Sequence, residues 1–141
     1  MRFRCRVQWD ALRVYLVRHG EAAPGDPDAL RPLTSDGRAA VRDLGARLST
    51  EGVRPAVVLS SPLLRARETA DELAKALDTE METDDRLAPG ATAASLRSAV
   101  SGRGDEVIVV GHQPDCGVIA ADINGGDPPR FPPAGLTVLE L

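Results

Sequence analysis

Both histidines of the chain, His19 and His112, directly follow short apolar runs. Val14-Tyr15-Leu16-Val17 leads into Arg18-His19-Gly20-Glu21, and Val107-Ile108-Val109-Val110 leads into Gly111-His112-Gln113-Pro114. A third run, Ala56-Val57-Val58-Leu59, ends in Ser60-Ser61-Pro62, with Arg65 shortly after. If these runs are strands of an open α/β sheet, ligands bind just beyond their C-terminal ends. Imidazoles and guanidinium groups gathered there point to phosphoryl chemistry. Transfer of a phosphoryl group needs positive charge around its equatorial oxygens and a nucleophile in line with the leaving group. Arginine offers a planar fork matched to phosphate oxygens. Neutral imidazole is a competent nucleophile near neutral pH, and its phosphorylated form is labile enough to turn over. Gly20 allows a close backbone turn beside the phosphate. A helix beginning at Pro62 or Pro114 would aim its positive dipole end at the pocket. These parts together form a phosphate site without metal. The arginine next to His19, and the lack of a carboxylate-rich ligand set, argue against a metal hydrolase built on the two histidines.

The elements that must position these groups follow from hydrophobic spacing. The run at 14–17 reads as a buried strand, and the Pro-, Gly- and Asp-rich stretch from Ala22 to Pro32 as a surface loop. Thr34 or Ser35 caps a helix whose Ala40, Val41, Leu44 and Leu48 recur at helical spacing, and Gly52 ends it. After the strand at 56–59, a serine cap and Pro62 in the first turn open a second helix through Leu64, Thr69, Leu73 and Leu77. A short strand near 80–83, a helix over 93–100, the strand at 107–110, a helix from Pro114 to about Asp122 and a closing strand over 136–141 complete the order. Such alternation predicts an α/β fold with a largely parallel sheet, and continuous apolar strands agree, because parallel sheets are covered on both faces.

Bulk composition sets the remaining bounds. The 141 residues fit one domain, expected over 13–141. Residues 1–12 are expected as a lead-in, disordered or the product of a mis-assigned start. Hydrophobic residues make up 43%, enough for a core, but aromatics only 3%, so that core must be aliphatic. A net charge of −4 argues against nucleic acid as a partner, while clustered arginines on an acidic body suit an anionic substrate. No apolar run is long enough to cross a membrane. Cys5 and Cys116 form neither a disulfide framework nor a CxxC site, which points to a reducing, cytoplasmic compartment.

Three segments, in order, resemble the motifs of the histidine phosphatase (phosphoglycerate mutase-like) superfamily: Leu16-Val17-Arg18-His19-Gly20-Glu21-Ala22, Ser60-Ser61-Pro62-Leu63-Leu64-Arg65-Ala66-Arg67-Glu68-Thr69-Ala70, and Val110-Gly111-His112-Gln113-Pro114-Asp115. The resemblance covers nearly everything from Val14 onward. It implies a three-layer α/β/α sandwich around a mostly parallel sheet. It also implies that His19 is the phosphorylated nucleophile, that Arg18 and Arg65 bind phosphate, and that His112 donates to the transferring phosphoryl group. No cofactor is implied. The short stretch between Arg65 and His112 leaves no room for the helical lid of the mutase and acid phosphatase branches. The chain is therefore similar to the short branch typified by SixA-type phosphohistidine phosphatases. The stretch Leu87-Ala88-Pro89-Gly90-Ala91 resembles that branch too.

A lidless, open site suits a phosphorylated protein, such as a histidine-containing phosphotransfer domain, better than a small phosphorylated molecule, which needs enclosure. A monomer is expected. Many relatives carry a glutamate as general acid after the third strand. Here Asp84-Asp85-Arg86-Leu87-Ala88-Pro89 holds none, leaving Asp85 and Glu21 as weak candidates. Its absence favours a P–N substrate, since protonated phosphoimidazole leaves as neutral imidazole. Two alternatives stay open: a phosphatase of small esters or nucleotides, and a phosphate-recognition module without turnover. Arg67 is expected to pair with Asp71, Asp115 to cap the helix it begins, Cys116 to pack, and Glu21 to orient Arg18 or face solvent.

Overall fold

Along each central strand, successive side chains enter two different cores. Val14 and Leu16 belong to one apolar cluster with Val57, Leu59, Val107 and Val109. Tyr15 and Val17 belong to another with Val58, Ile108 and Val110. This is the period-two consequence of a sheet covered on both faces. The computed structural model describes residues 12–141. Of the expected lead-in, residues 1–11 lie outside the described residues. Leu12 is tied to the C-terminus by Leu12 N–H to Leu141 O (3.3 Å) and Leu141 N–H to Leu12 O (2.8 Å).

The elements are β1 (Arg13–Arg18), α1 (Ser35–Thr50), β2 (Val57–Ser60), α2 (Leu64–Ala76), β3 (Met81–Thr83), α3 (Ala93–Val100), β4 (Glu106–Gly111), α4 (Asp115–Asn124) and β5 (Leu136–Glu140). Single 3-10 turns occupy Asp28–Leu30 and Asp85–Leu87. The sheet order is β3-β2-β4-β1-β5. β3, β2, β4 and β1 run parallel, and β5 lies antiparallel on β1. Helices α1 and α2 cover one face through Val41, Leu44, Leu48, Ala66, Ala70 and Leu73. Helices α3 and α4 cover the other through Leu96, Ala99, Val100, Ile119 and Ala120. The expected α/β/α sandwich is the observed fold. Each fully buried Leu, Ile or Val of these clusters contributes about 2 kcal/mol to the apolar term. Among the described residues no helix is long and apolar enough to cross a membrane.

Three local expectations are corrected. Helix α2 begins at Leu64, not at Pro62. Its N-cap residue is Leu63, which makes no side-chain cap bond. Asp115 does not cap α4; its carboxylate instead accepts the Gly90 N–H at 2.7 Å, holding the loop before α3. Arg67 does not pair with Asp71: its Nε donates to the Pro62 carbonyl (2.9 Å), and Asp71 pairs with Lys75. By contrast Thr34 caps α1 as read, accepting the Gly37 N–H. Gly52 follows its end with φ +83, where a side chain would be strained.

Candidate active site

Three strand ends are laced together at one edge of the sheet. The His19 N–H donates to the Gly111 carbonyl (3.0 Å), and the Ser61 N–H donates to the Val110 carbonyl (3.1 Å). This brings the residues after β1, β2 and β4 side by side. A cavity of about 400 Å³ opens there, lined by Arg18, His19, Gly20, Arg65, His112 and, beyond these, Glu21, Ala22, Arg31, Pro89, Gln113 and Pro133. The two imidazoles face each other with ring centroids 5.1 Å apart. The four residues singled out from separate motifs therefore share one pocket.

Each is held by a traceable contact. His19 Nδ1 lies 2.7 Å from the Gly20 carbonyl. A carbonyl can only accept, so Nδ1 carries the proton and Nε2 the free lone pair. Burial, then the charges of Arg65, Arg18 and Arg31, hold the His19 pKa below the ordinary imidazole range, against the raising effect of the Gly20 carbonyl. The ring is neutral and nucleophilic at neutral pH. Arg18 donates from Nη1 to the Phe131 carbonyl (2.9 Å), and its Nε is buried with no partner among the described residues. Arg65, only 8% exposed, donates to both the Asp28 carbonyl (2.9 Å) and the Asp28 carboxylate (3.1 Å). Thr69, on the same helix, donates to the Arg65 carbonyl and accepts the Gly20 N–H, joining the second motif to the first.

Gly20 is thus placed at the pocket, but its N–H is spent on Thr69 rather than left for a ligand. The glycine is required from beneath: an added Cβ would sit 2.9 Å from Val41 Cγ2 and 3.1 Å from the Gly37 carbonyl. Gly37, at the start of α1, is needed for the reciprocal reason, since its Cβ would collide with the Glu21 carbonyl. Glu21 reaches the pocket rim, yet its carboxylate accepts from Thr34 Oγ1 (2.7 Å) and does not orient Arg18. Asp85 is exposed on its 3-10 turn and does not line the pocket. Cys116 packs, as expected: it is 1% exposed, and burial pushes its thiol up to about 12.

Two contributors escape the motifs. Arg31 adds a third guanidinium to the pocket lining. Asp28 bridges Arg65 and Arg31, and those two hydrogen bonds hold its carboxyl below the usual carboxylate range. Their signal in sequence is faint: a carboxylate and an arginine three residues apart, inside a loop that directly follows the first motif. The late proline-rich loop also reaches the site, through Pro133 and the Phe131 carbonyl. Among the described residues no group of three or more His, Cys, Asp or Glu is arranged to hold a metal ion.

His112 is 4% exposed, and its Nε2 lies 2.7 Å from Ser61 Oγ. Burial first, then the charges of His19 and Arg65, push its pKa down to about 4. The unfolded chain consequently binds a proton more readily at this residue than the folded one. Stability is complete above the ordinary value of 6.5 and falls as pH drops toward 4. Urea unfolding at pH 7 and pH 4 should show the wild type losing roughly 3 kcal/mol more than His112→Asn between the two conditions. Equal losses would mean that His112 is not held neutral by the fold.

Residues 14–89 match the family model of the histidine phosphatase superfamily (branch 1). That span holds the first two motifs, and His112 lies beyond it. Phosphohistidine phosphatase SixA of Escherichia coli is 30% identical over 138 residues, covering 92% of this chain and 86% of that protein. A solved structure of the protein histidine phosphatase SixA complexed with tungstate superposes with a TM-score of 0.81 at 30% identity, over 90% of this chain and 86% of that one. A phosphoglycerate mutase from Bacillus anthracis shares the fold at a TM-score of 0.74 and 15% identity, over 93% of this chain and 88% of that one.

Proposed function

Because the chain belongs to the histidine phosphatase superfamily, we propose that it hydrolyses phosphohistidine on a protein, with His19 as the group that is transiently phosphorylated. It is a phosphatase-type hydrolase of the short, SixA-type branch. In the proposed reaction the Nε2 lone pair of His19 forms a bond to phosphorus while the bond from phosphorus to the leaving group breaks. Arg18, Arg65 and Arg31 offset the charge on the equatorial oxygens, and His112 donates a hydrogen bond to one of them. Water then attacks the phosphorus of phosphorylated His19, forming a P–O bond as the P–N bond breaks, so that inorganic phosphate is released and the ring returns neutral with its proton on Nδ1.

One observation carries the choice of substrate: among the described residues, neither Glu21 nor Asp28, the carboxylates near the pocket, is placed as an acid. Glu21 is bound to Thr34, and Asp28 is held ionised between two arginines. An alkoxide leaving group needs a proton from such an acid. Phosphohistidine does not, because its protonated ring departs as neutral imidazole. The partner that fits is a phosphohistidine-bearing domain, such as a histidine-containing phosphotransfer domain, whose own ring enters a pocket over which the described residues form no helical lid.

A substrate panel tests this. Initial rates on a phosphohistidine protein, a phosphoserine protein and sugar phosphates should favour the first by about a hundredfold or more in kcat/KM, the usual yield of a missing general acid. Efficient turnover of sugar phosphates with none on phosphohistidine would replace this reading with a small-ester phosphatase. Binding of all without turnover would replace it with a recognition module.

A further inference from the structure

We propose that Ser61 is a positioning residue: its hydroxyl donates to His112 Nε2 and so keeps the His112 proton on Nδ1, the nitrogen offered to the phosphoryl group. The proposal rests on the donor role given to His112 above.

A serine hydroxyl has one proton to give and two lone pairs to receive with. Ser61 is fully buried, and its Oγ has two neighbours of suitable geometry among the described residues: the Leu63 N–H at 3.3 Å and His112 Nε2 at 2.7 Å. The Leu63 amide can only donate. If His112 Nε2 also carried a proton, both contacts would be donors toward Oγ, and the buried Ser61 proton would have no acceptor. If Nε2 is bare, the Ser61 proton goes to it, and all three groups are satisfied. Buried hydroxyls without an acceptor are costly, so the second arrangement wins.

The proton of His112 then resides on Nδ1. That nitrogen makes no hydrogen bond among the described residues, and its ring lines the pocket. A neutral imidazole has a single N–H, so its tautomer decides whether a phosphoryl oxygen meets a donor or a lone pair. Neutrality is expected here, since His112 faces His19 and Arg18 from the β1 end, Arg65 from α2, and, among the described residues, Asp28 as a counter-charge from the loop before α1. The two histidines therefore hold the same tautomer for opposite purposes. His19 gives its Nδ1 proton to the Gly20 carbonyl and presents a lone pair, whereas His112 has its lone pair occupied by Ser61 and presents a proton.

With only two histidines in the chain, 15N NMR of the imidazoles separates the possibilities directly. In the wild type at neutral pH both rings should show protonated Nδ1 and bare Nε2. In Ser61→Ala, His112 should relax toward Nε2–H, the form that free imidazole side chains prefer in water. The variant's kcat should fall about 100-fold, the lower end of what losing one donor to a transition-state oxygen costs, with KM little changed. The ratio of wild-type to variant kcat should shrink on acidification, because imidazolium carries a proton on both nitrogens. Ser61→Thr retains the hydroxyl and should recover the tautomer and much of the rate. A wild-type His112 protonated on Nε2 would overturn the proposal without any variant. So would wild-type kcat in Ser61→Ala. If His112→Ala turned over normally, the donor role itself would be gone, whatever the tautomer.

Discussion

Replacing His19 with alanine should lower kcat by about 10⁴- to 10⁶-fold, the scale on which removal of a covalent nucleophile is felt. The ring is not a structural pillar whose loss would unfold the domain. It is half-buried, its one hydrogen bond among the described residues runs to the adjacent Gly20 carbonyl, and it belongs to neither apolar cluster. His19→Ala should keep wild-type cooperativity in urea while losing turnover. Arg18, Arg65 and Arg31 stay in place, so the variant should still bind a phosphorylated protein. Activity within tenfold of wild type would mean that water attacks the substrate directly and that the phosphoenzyme account is wrong.

Arg65→Ala should cost about 10²- to 10³-fold in kcat/KM, most of it in kcat, because the guanidinium stabilises charge that develops in the transition state. Arg65→Lys should recover little of this. The native fork holds Asp28 from both Nη1 and Nη2, through its carbonyl and its carboxylate, while Arg65 lines the pocket. An ammonium is a single point of charge on a flexible stem and cannot hold both sides. Steady-state kinetics on a phosphohistidine protein measures the effect. A lysine variant with near wild-type kcat would show that charge alone matters and that the Asp28 anchor has no catalytic consequence. Asp28 is 65% exposed at its side chain, so its pairing with Arg65 adds little to folding and matters for orientation.

The residues that share the pocket were legible because they sit at or just beyond strand ends, and strand ends are marked in sequence by abrupt changes from apolar to polar residues. The central strands and α3 were equally plain, since buried parallel strands have nothing but apolar residues to show. The start of α2 misled for a physical reason. Ser60-Ser61-Pro62 has the composition of a helix cap, but the backbone is still extended at Leu63, which becomes the N-cap residue and has no side chain able to cap. Arg67 and Asp115 were misread because each binds a backbone group outside its own helix, the Pro62 carbonyl and the Gly90 N–H, which helical spacing does not reveal. Asp28 and Arg31 stayed hidden inside a loop whose path depends on three-dimensional contacts, among them Arg31 Nε to the Ala23 carbonyl. Motifs locate a site through its regular elements, and irregular segments that complete it must be seen.

The identity of the phosphorylated group on the enzyme is the most direct test of the whole account. Rapid-quench mixing with a phosphohistidine protein, followed by peptide mapping under alkaline conditions, reads both the residue and its kinetic competence. The expected result is an acid-labile phosphoramidate on His19 that forms at least as fast as turnover and decays as inorganic phosphate appears. Turnover at the full rate with no phosphate ever found on His19, or with the label on a different side chain, would contradict it.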